Sequence, residues 1–392
     1  MREYVDRGQG TLRTNLTGSA TYQSFCPTPL QKLTLPELDS EGIRLLSLCS
    51  RKIGEVEGMV RFVPNAAMYL TMYVRKEALL SAQIEGTQCT FDDVLDPDNV
   101  LAIHKNVGDV IRYIDAMEYA LARMDELPLC MRLLRETHAR LIAGVRGSDK
   151  QPGEIRTSQN WIGPTGCTIR TAPYVPPNLE DMKESLSDLE LFMHGEAPID
   201  PIIKAALIHY QFETIHPFLD GNGRLGRLLI VLSLVNDGVL KTACLYPSYQ
   251  LKARRTEYYS QLMRVRMKGD YAGWIRFFCQ CLLDSAVDAG NSMRELVELH
   301  AQNERIIREH FARGASNALN LLDLLERNPI ADIAFIASRI ELSRTSVSNL
   351  VREFCELGIL CQRDTRKQRY REYLYEDYLK ILRAGSEPIP RG

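Results

Sequence analysis

The sequence predicts a mainly α-helical protein with a β-hairpin flap and a small C-terminal winged helix-turn-helix unit, on three observations. Apolar residues recur at three- and four-residue spacing along most of the chain; β-favouring texture is concentrated between Ile155 and Pro177; and the last segment orders as three short helices followed by strand-like pieces around a basic turn. The chain has 392 residues, more than one ordinary core organises, so two to four domains are expected. Apolar residues make up 45%, charged residues 25%, and the formal net charge is -2, the profile of a soluble globular protein whose bulk charge singles out no partner. No stretch approaches the ~20 uninterrupted apolar residues of a membrane span, and Met1 to Asp6 does not open a signal peptide, so a cytoplasmic enzyme is expected. The 10 cysteines are scattered singly; the close pair Cys279 and Cys281 lacks CxxC spacing, and reduced, buried thiols are expected.

Taken in order, residues 1–30 are polar and without a sustained period, and read as an extended arm. Residues 31–122 form an N-terminal helical region: apolar spacing is helical from Pro36 to about Ala122, as in Ile43, Leu46 and Cys49 and again from Ala66 to Ile84. A catalytic core is expected over 123–287. Its helices run from Met131 to Ile142, Leu179 to Met193, and from Pro201 to Phe212 with Asp200 as N-cap. A further helix from about Arg224 to Val235 stops at Asn236-Asp237-Gly238, and Arg254 to Val287 is again helical. The β-favouring stretch 156–177 reads as the flap. Residues 288–316 suggest a charged connecting helix ending near Arg313. Over 317–383 the winged unit is predicted from Asn317–Glu326, Asp332–Ile340 and Ser343–Leu357, then strands at Leu360–Gln362 and Tyr370–Tyr375; residues 384–392 are a tail.

The densest chemical signal is the loop His216-Pro217-Phe218-Leu219-Asp220-Gly221-Asn222-Gly223-Arg224-Leu225-Gly226-Arg227. Gly221, Asn222 and Gly223 allow a sharp turn that presents backbone amides to an anion, and the helix that follows adds the positive end of its dipole. Arg224 and Arg227, three residues apart, share one face of its first turn and can grip a polyphosphate together. Asp220 offers the hard oxygen ligand a magnesium ion prefers, and His216 an imidazole able to act as a base near neutral pH.

Residues 216–227 resemble the signature of the Fic family, whose helical fold carries enzymes that typically move AMP from ATP to a hydroxyl side chain of a target protein. The resemblance implies His216 as general base, Asp220 as the Mg²⁺ ligand, and Gly221 to Gly223 with the Asn222 side chain on the α-phosphate. It also implies Arg224 and Arg227 on the leaving phosphates, with Leu225 and Gly226 part of the nucleotide-binding run and Phe218 as a buried anchor. Upstream, Ser81-Ala82-Gln83-Ile84-Glu85-Gly86 ends a helix, with Ser81 and Glu85 one turn apart and Gly86 suited to the cap. It resembles the family's inhibitory helix, which implies that Glu85 pairs with Arg227 where a γ-phosphate would sit.

The same resemblance implies that 156–177 holds a target segment by main-chain pairing, with Trp161 equally readable as a packing residue. Tyr246, Tyr249, Tyr258 and Tyr259 are aromatic candidates for an adenine pocket, Tyr258 favoured, whereas His209 reads as packed or solvent-facing. In the tail unit, Ser343 to Asn349 would open the recognition helix, with Arg363, Arg366, Lys367, Arg369 and Arg371 on the wing. Between Arg339 and Arg383, ten Lys or Arg face seven Asp or Glu, a net of +3, so DNA and protein partners stay equally open. The leading expectation is an auto-inhibited adenylyltransferase. Removal of AMP, or a DNA-binding regulator with a nucleotide-sensing domain, are the alternatives. A homodimer fits the class, though no residue demands it.

Overall fold

In the computed structural model, which describes residues 4–34, 37–63, 66–96, 105–145, 147–195, 198–311, 314–367, 369 and 371–389, helices dominate and strands are short. The chain opens with a hairpin of β1 (Gly10–Asn15) and β2 (Tyr22–Pro27), antiparallel from Gly10↔Pro27 to Asn15↔Tyr22. The N-terminal arm is therefore folded, which the local sequence does not announce because its reason is long-range. Phe25 is buried against the Tyr174 ring, and its amide donates to the Val175 carbonyl at 3.0 Å. A Cβ at Gly10 would overlap the Phe25 ring, so glycine is required where the strands close over it.

The long helix α1 (Ser40–Phe62) begins at Asp39, whose carboxylate accepts from the Gly42 amide, and buries Cys49, Ile53, Val56 and Val60. Ile43, expected on that stripe, is 58% exposed: six residues from Cys49, it lies about a third of a turn off the buried line. Pro36 lies outside the described residues. Then come α2 (Ala66–Ile84), the short α3 (Phe91–Leu95) behind a Thr90–Asp93 capping box, α4 (Lys105–Arg123), α5 (Met131–Leu141) and α6 (Leu179–His194). At the centre, α7 (Pro201–Ile215) packs on α8 (Asn222–Asn236); both are buried nearly all round, which is why neither shows an amphipathic stripe. Asp200 caps α7 as expected, with Pro201 in its first turn, and Gly238 at φ +70 closes the end of α8.

Two shorter helices, α9 (Ser248–Ala253) and α10 (Arg255–Lys268), lead into α11 (Tyr271–His310), a single rod of 40 residues. Its first turns are pinned by Trp274, whose indole donates to the Ala206 carbonyl of α7 at 2.9 Å. The helix passes residue 287 without a break, so the expected connecting helix is the far half of the same rod; Arg313 lies outside the described residues. Among the described residues no helix is long and apolar enough to cross a membrane.

Beyond it, α12 (Ala315–Arg327), β3 (Ile330–Asp332), α13 (Ile333–Ile340), α14 (Arg344–Glu356), β4 (Cys361–Gln362), β5 (Glu372–Leu374) and α15 (Glu376–Arg383) follow in turn. The strands form an antiparallel sheet in the order β3-β5-β4. Asp332 and Ser343 cap α13 and α14 through their side chains. Sequence periodicity misses β3, three residues long, and α15; Tyr370, the expected start of the last strand, lies outside the described residues.

His300 of α11 and Glu326 of α12 join these two regions, Nδ1 to Oε1 at 2.9 Å, with Glu326 fully buried. The hydrogen bond to Glu326 holds the His300 imidazole above its ordinary pKa. A raised imidazole pKa contributes stability below the ordinary value and loses it as pH rises through the folded one. Burial, which raises Glu326 as well, acts with the same sign. Thermal unfolding should therefore show a Tm that falls from about pH 6 to about pH 8, and His300→Gln should flatten that slope.

Candidate active site

The signature loop lies at the junction of α7 and α8. His216 caps α7 in the left-handed region at φ 51, ψ 62, an uncommon place for a residue with a Cβ, and its amide donates to Phe212 at 2.9 Å. Its carbonyl accepts from Arg156 Nε at 3.1 Å and from Asn160 Nδ2 at 3.2 Å, while the Arg156 amide donates to Pro217 at 2.9 Å. Two residues of the 156–177 segment thus hold the strained turn from outside. Sequence reasoning passed over both, because an Arg and an Asn in a polar loop carry no periodic signal.

Phe218 is fully buried and stacked on His138, with ring centroids 3.8 Å apart; His138 Nε2 also meets the Asp220 carbonyl at 2.9 Å. Burial drives the His138 pKa down to about 4, so it serves as a neutral bracket. The Asn222 side chain, expected on a phosphate, is instead turned inward: Oδ1 accepts from the Phe218 amide at 2.9 Å and Nδ2 donates to the Phe218 carbonyl at 2.8 Å. It closes the loop on itself, as a 2% exposed amide with two backbone partners must.

The helix geometry of α8 supplies the anion cradle. Gly221, at φ +76, is the N-cap, and the first intrahelical bond is Leu225 N to Gly221 O at 3.0 Å. The amides of Asn222, Gly223 and Arg224 therefore have no carbonyl within the helix to donate to, and they point out of its end. Leu225 and Gly226, counted with the nucleotide-binding residues, do not line the cavity. Leu225 is core, its amide spent in the helix. Gly226 is a packing requirement, since a Cβ there would overlap the Glu213 carboxylate. Gly226→Ala should destabilise the protein by about 1–3 kcal/mol in a thermal melt, and adding Glu213→Ala should recover most of the loss.

In front of the cradle lies a cavity of about 570 Å³, lined on the polar side by Glu85, Asp109, Glu213, His216, Asp220 and Arg227, and walled by Tyr258, Tyr259, Leu262 and Met263. The volume is in the range of small-ligand sites. Arg227, 1% exposed, is held by the end of α2 through Nε and Nη2. Its Nε donates to Ser81 Oγ at 2.9 Å, and Nη2 donates to the Ser81 carbonyl at 3.1 Å and to Glu85 Oε1 at 2.8 Å. Gly86, at φ +93, ends α2 just past Glu85 and, like Ser81, stands outside the cavity. Burial pushes the Glu85 carboxyl up, but the Arg227 charge, the Arg227 hydrogen bond and the Arg224 charge together outweigh it and hold the group below its ordinary pKa. At Arg227 burial lowers the guanidinium, and the acidic groups around it, Glu85 first among them, together hold it above its usual value. A Cβ at Gly223 would overlap Glu85 Oε1, so the glycine makes room for the carboxylate.

Arg224 is also paired, Nη1 to Asp109 Oδ1 of α4 at 3.2 Å, a partner 115 positions away that sequence reasoning missed. Asp220 is a third exposed and turns its carboxylate to the cavity, with Oδ1 taking the Gly221 amide at 2.6 Å and Arg224 at 4.0 Å. Exposed hard oxygen beside an amide-lined anion cradle suits a divalent cation that keeps most of its waters, so Asp220 fits the magnesium role.

His216 Nδ1 lies 3.9 Å from Glu213 Oε2, which leaves Nε2 as the cavity-side nitrogen. Burial, then the Arg266 charge, lowers the imidazole pKa to about 3, so it is neutral at any physiological pH. Glu213, likewise unremarked in the sequence, is raised to about 7 by burial against the pull of Arg227. His209 proves to be packed rather than solvent-facing: Nδ1 meets the Gly226 carbonyl at 2.8 Å and Nε2 the Tyr258 hydroxyl at 2.9 Å. Tyr258 is thereby fixed as a 1% exposed wall, and Tyr259, 38% exposed, offers more ring to a ligand.

The segment 156–177 folds back on itself but carries one bridge, Ile162↔Tyr174, in place of a hairpin ladder. Pro164, Pro173, Pro176 and Pro177 lack donors and cannot extend it. Gly163, Pro164 and Pro173 border the cavity mouth, and Trp161 is 43% exposed with its indole donating to the Cys167 carbonyl at 3.0 Å.

Two family models match the chain: that of the Fic/DOC family over residues 128–234, and that of the Fic/DOC family N-terminal region over 43–122. The chain belongs to the Fic family. Among relatives of this Fic chain, protein adenylyltransferase Fic of Drosophila willistoni is 28% identical over 229 residues, 52% of this chain and 42% of the relative. The same-named protein of Drosophila grimshawi is 29% identical, over 48% and 37% of the two chains. The Fic chain thus matches about two fifths of the length of these curated relatives. A Fic family protein of Desulfovibrio desulfuricans G20 shares the fold, with TM-score 0.52 at 20% identity, over 86% of this chain and 97% of that one.

Proposed function

We propose that this Fic protein is an auto-inhibited protein adenylyltransferase that moves AMP from ATP to a Ser, Thr or Tyr hydroxyl of a target protein and of itself. The observation that carries the reading is Glu85 seated on Arg227, a carboxylate occupying the anion position of an amide-lined cavity. The relatives named protein adenylyltransferase support the same class.

In this reading His216 Nε2 takes the proton as the target hydroxyl attacks the α-phosphorus, and pyrophosphate leaves. The amides of Asn222, Gly223 and Arg224 hold the α-phosphate oxygens, where charge develops. Arg224 and Arg227 hold the leaving phosphates once released from Asp109 and Glu85. Asp220 would hold the magnesium ion, which neutralises phosphate charge when bound. The nearly unpaired edges of 156–177 suit main-chain capture of an extended target. Residues 1–30 and 31–122 serve as arm and inhibitory region, 123–287 as the catalytic core, 288–316 as connector, 317–383 as a winged-helix module and 384–392 as its tail. The module's partner, DNA or protein, and a homodimer belong to the same proposal.

The test is incubation of the wild-type and Glu85→Gly proteins, each alone and with a cell lysate, with Mg²⁺ and ATP labelled at either the α- or the γ-phosphate. Protein-bound label from the α-position alone is expected. Label from the γ-position would move the reading to phosphotransfer, and none from either would move it to AMP removal or nucleotide sensing.

A further inference from the structure

The C-terminal residues of the chain are bound to the end of the helix that carries Glu85. Ser81 and Glu85 face Arg227; Gln83, between them, faces the other way and is fully buried. Its Nε2 donates to the Cys89 carbonyl at 2.9 Å and to the Ser386 carbonyl at 2.8 Å. One side chain therefore ties the last turn of α2 both to the turn that follows it and to the tail that leaves α15.

The tail runs in a built seat. Gly385 takes φ +72, and a Cβ there would overlap the Tyr249 ring, so no other residue fits without displacement. Ser386 is 4% exposed, and its amide and hydroxyl both donate to the Arg383 carbonyl, at 2.9 and 2.7 Å. Lys252 of α9 donates to the Gly385 carbonyl at 3.1 Å and to that of Glu387, and Gln88 donates to Ile389 at 3.3 Å. From the other side, Arg383 makes a bidentate pair with Asp92 of α3 at 2.7 and 2.8 Å, and Arg363 meets Asp96 at 2.8 Å. Residues 83–96, which begin within the inhibitory turn, are thus clasped by the C-terminal unit at both ends.

We propose that residues 384–389 are a strap that holds the Glu85-bearing turn of α2 on Arg227, so that the C-terminal unit sets the strength of autoinhibition. The inference rests on Glu85 being the brake. A shift of the last turn of α2 carries Glu85 off Arg227, and the strap opposes that shift through Gln83. A partner that captures the tail or draws the C-terminal unit away would loosen the brake without entering the cavity, which gives the module a regulatory output through the chain itself.

The experiment compares self-labelling by Mg-ATP in full-length wild type, Gly385→Leu, Glu85→Gly and the double variant. Gly385→Leu, which cannot seat the strap, should raise labelling about five- to tenfold, the worth of one or two lost hydrogen bonds. It should add nothing on top of Glu85→Gly, because the strap acts only through the brake. Wild-type labelling in Gly385→Leu beside a raised Glu85→Gly would overturn the strap and leave the brake standing. Unchanged labelling in Glu85→Gly itself would remove both. Should Gly385→Leu fold poorly, Lys252→Met removes two strap contacts more gently, and hydrogen exchange at Glu85, Gly86 and Thr87 should then accelerate; unchanged protection there would overturn the proposal.

Discussion

Replacing His216 with alanine is expected to lower AMP transfer by roughly a hundred- to ten-thousand-fold, the span a positioned general base contributes. Nucleotide binding should be little changed. The cradle amides belong to α8, and the loop is braced independently by Asn222 on Phe218 and by His138. The base is preorganised at some cost: a left-handed backbone at His216, held by Arg156 and Asn160. Alanine relieves none of that strain, so the two effects separate in a measurement of nucleotide affinity beside turnover. Because burial keeps the imidazole pKa near 3, the base is already free of its proton at pH 6 to about 8, and the rate should show no inflection from its titration there.

Glu85→Gly is the second large effect, an increase of about ten- to a hundredfold in self-labelling. A charge-assisted hydrogen bond to a buried guanidinium is worth about 1.5–3 kcal/mol net, and every 1.4 kcal/mol is a factor of ten in occupancy of the anion position. With Glu85 absent, Arg227 keeps Ser81 as a partner through Nε and is preserved in its rotamer for a phosphate. Mild acid should not mimic the substitution. The Glu85 carboxyl is held below its ordinary pKa, so the pair is complete above that value and is lost only as pH falls beneath it.

The core of this site was legible in sequence because twelve consecutive residues build it: a buried anchor, a turn and the first amides of a helix are local objects. The end of α2 was legible only through its resemblance, since Ser81, Glu85 and Gly86 make an ordinary helix ending until Arg227, 142 positions away, is placed beside them. What the sequence withheld is pairing at distance. Asp109 looks like one charge on an amphipathic helix until it meets Arg224, and Glu213 sits in a helix so buried that no polar face marks it. The N-terminal hairpin and the tail share that property, because Gly10 and Gly385 are explained by rings at Phe25 and Tyr249 rather than by their neighbours in the chain. The 156–177 segment errs the other way: its β-favouring residues are real, but prolines cut the ladder to one bridge.

Whether an AMP-transferring site is closed by its own carboxylate is decided by intact-protein mass spectrometry of the Glu85→Gly chain after incubation with Mg-ATP, beside wild type and the Glu85→Gly, His216→Ala double variant. Adducts of one adenylyl group are expected in the first, few in wild type and none in the double variant. Equal adducts on wild type and Glu85→Gly would rule out the closing role of Glu85, and adducts that persist without His216 would rule out His216 as the base.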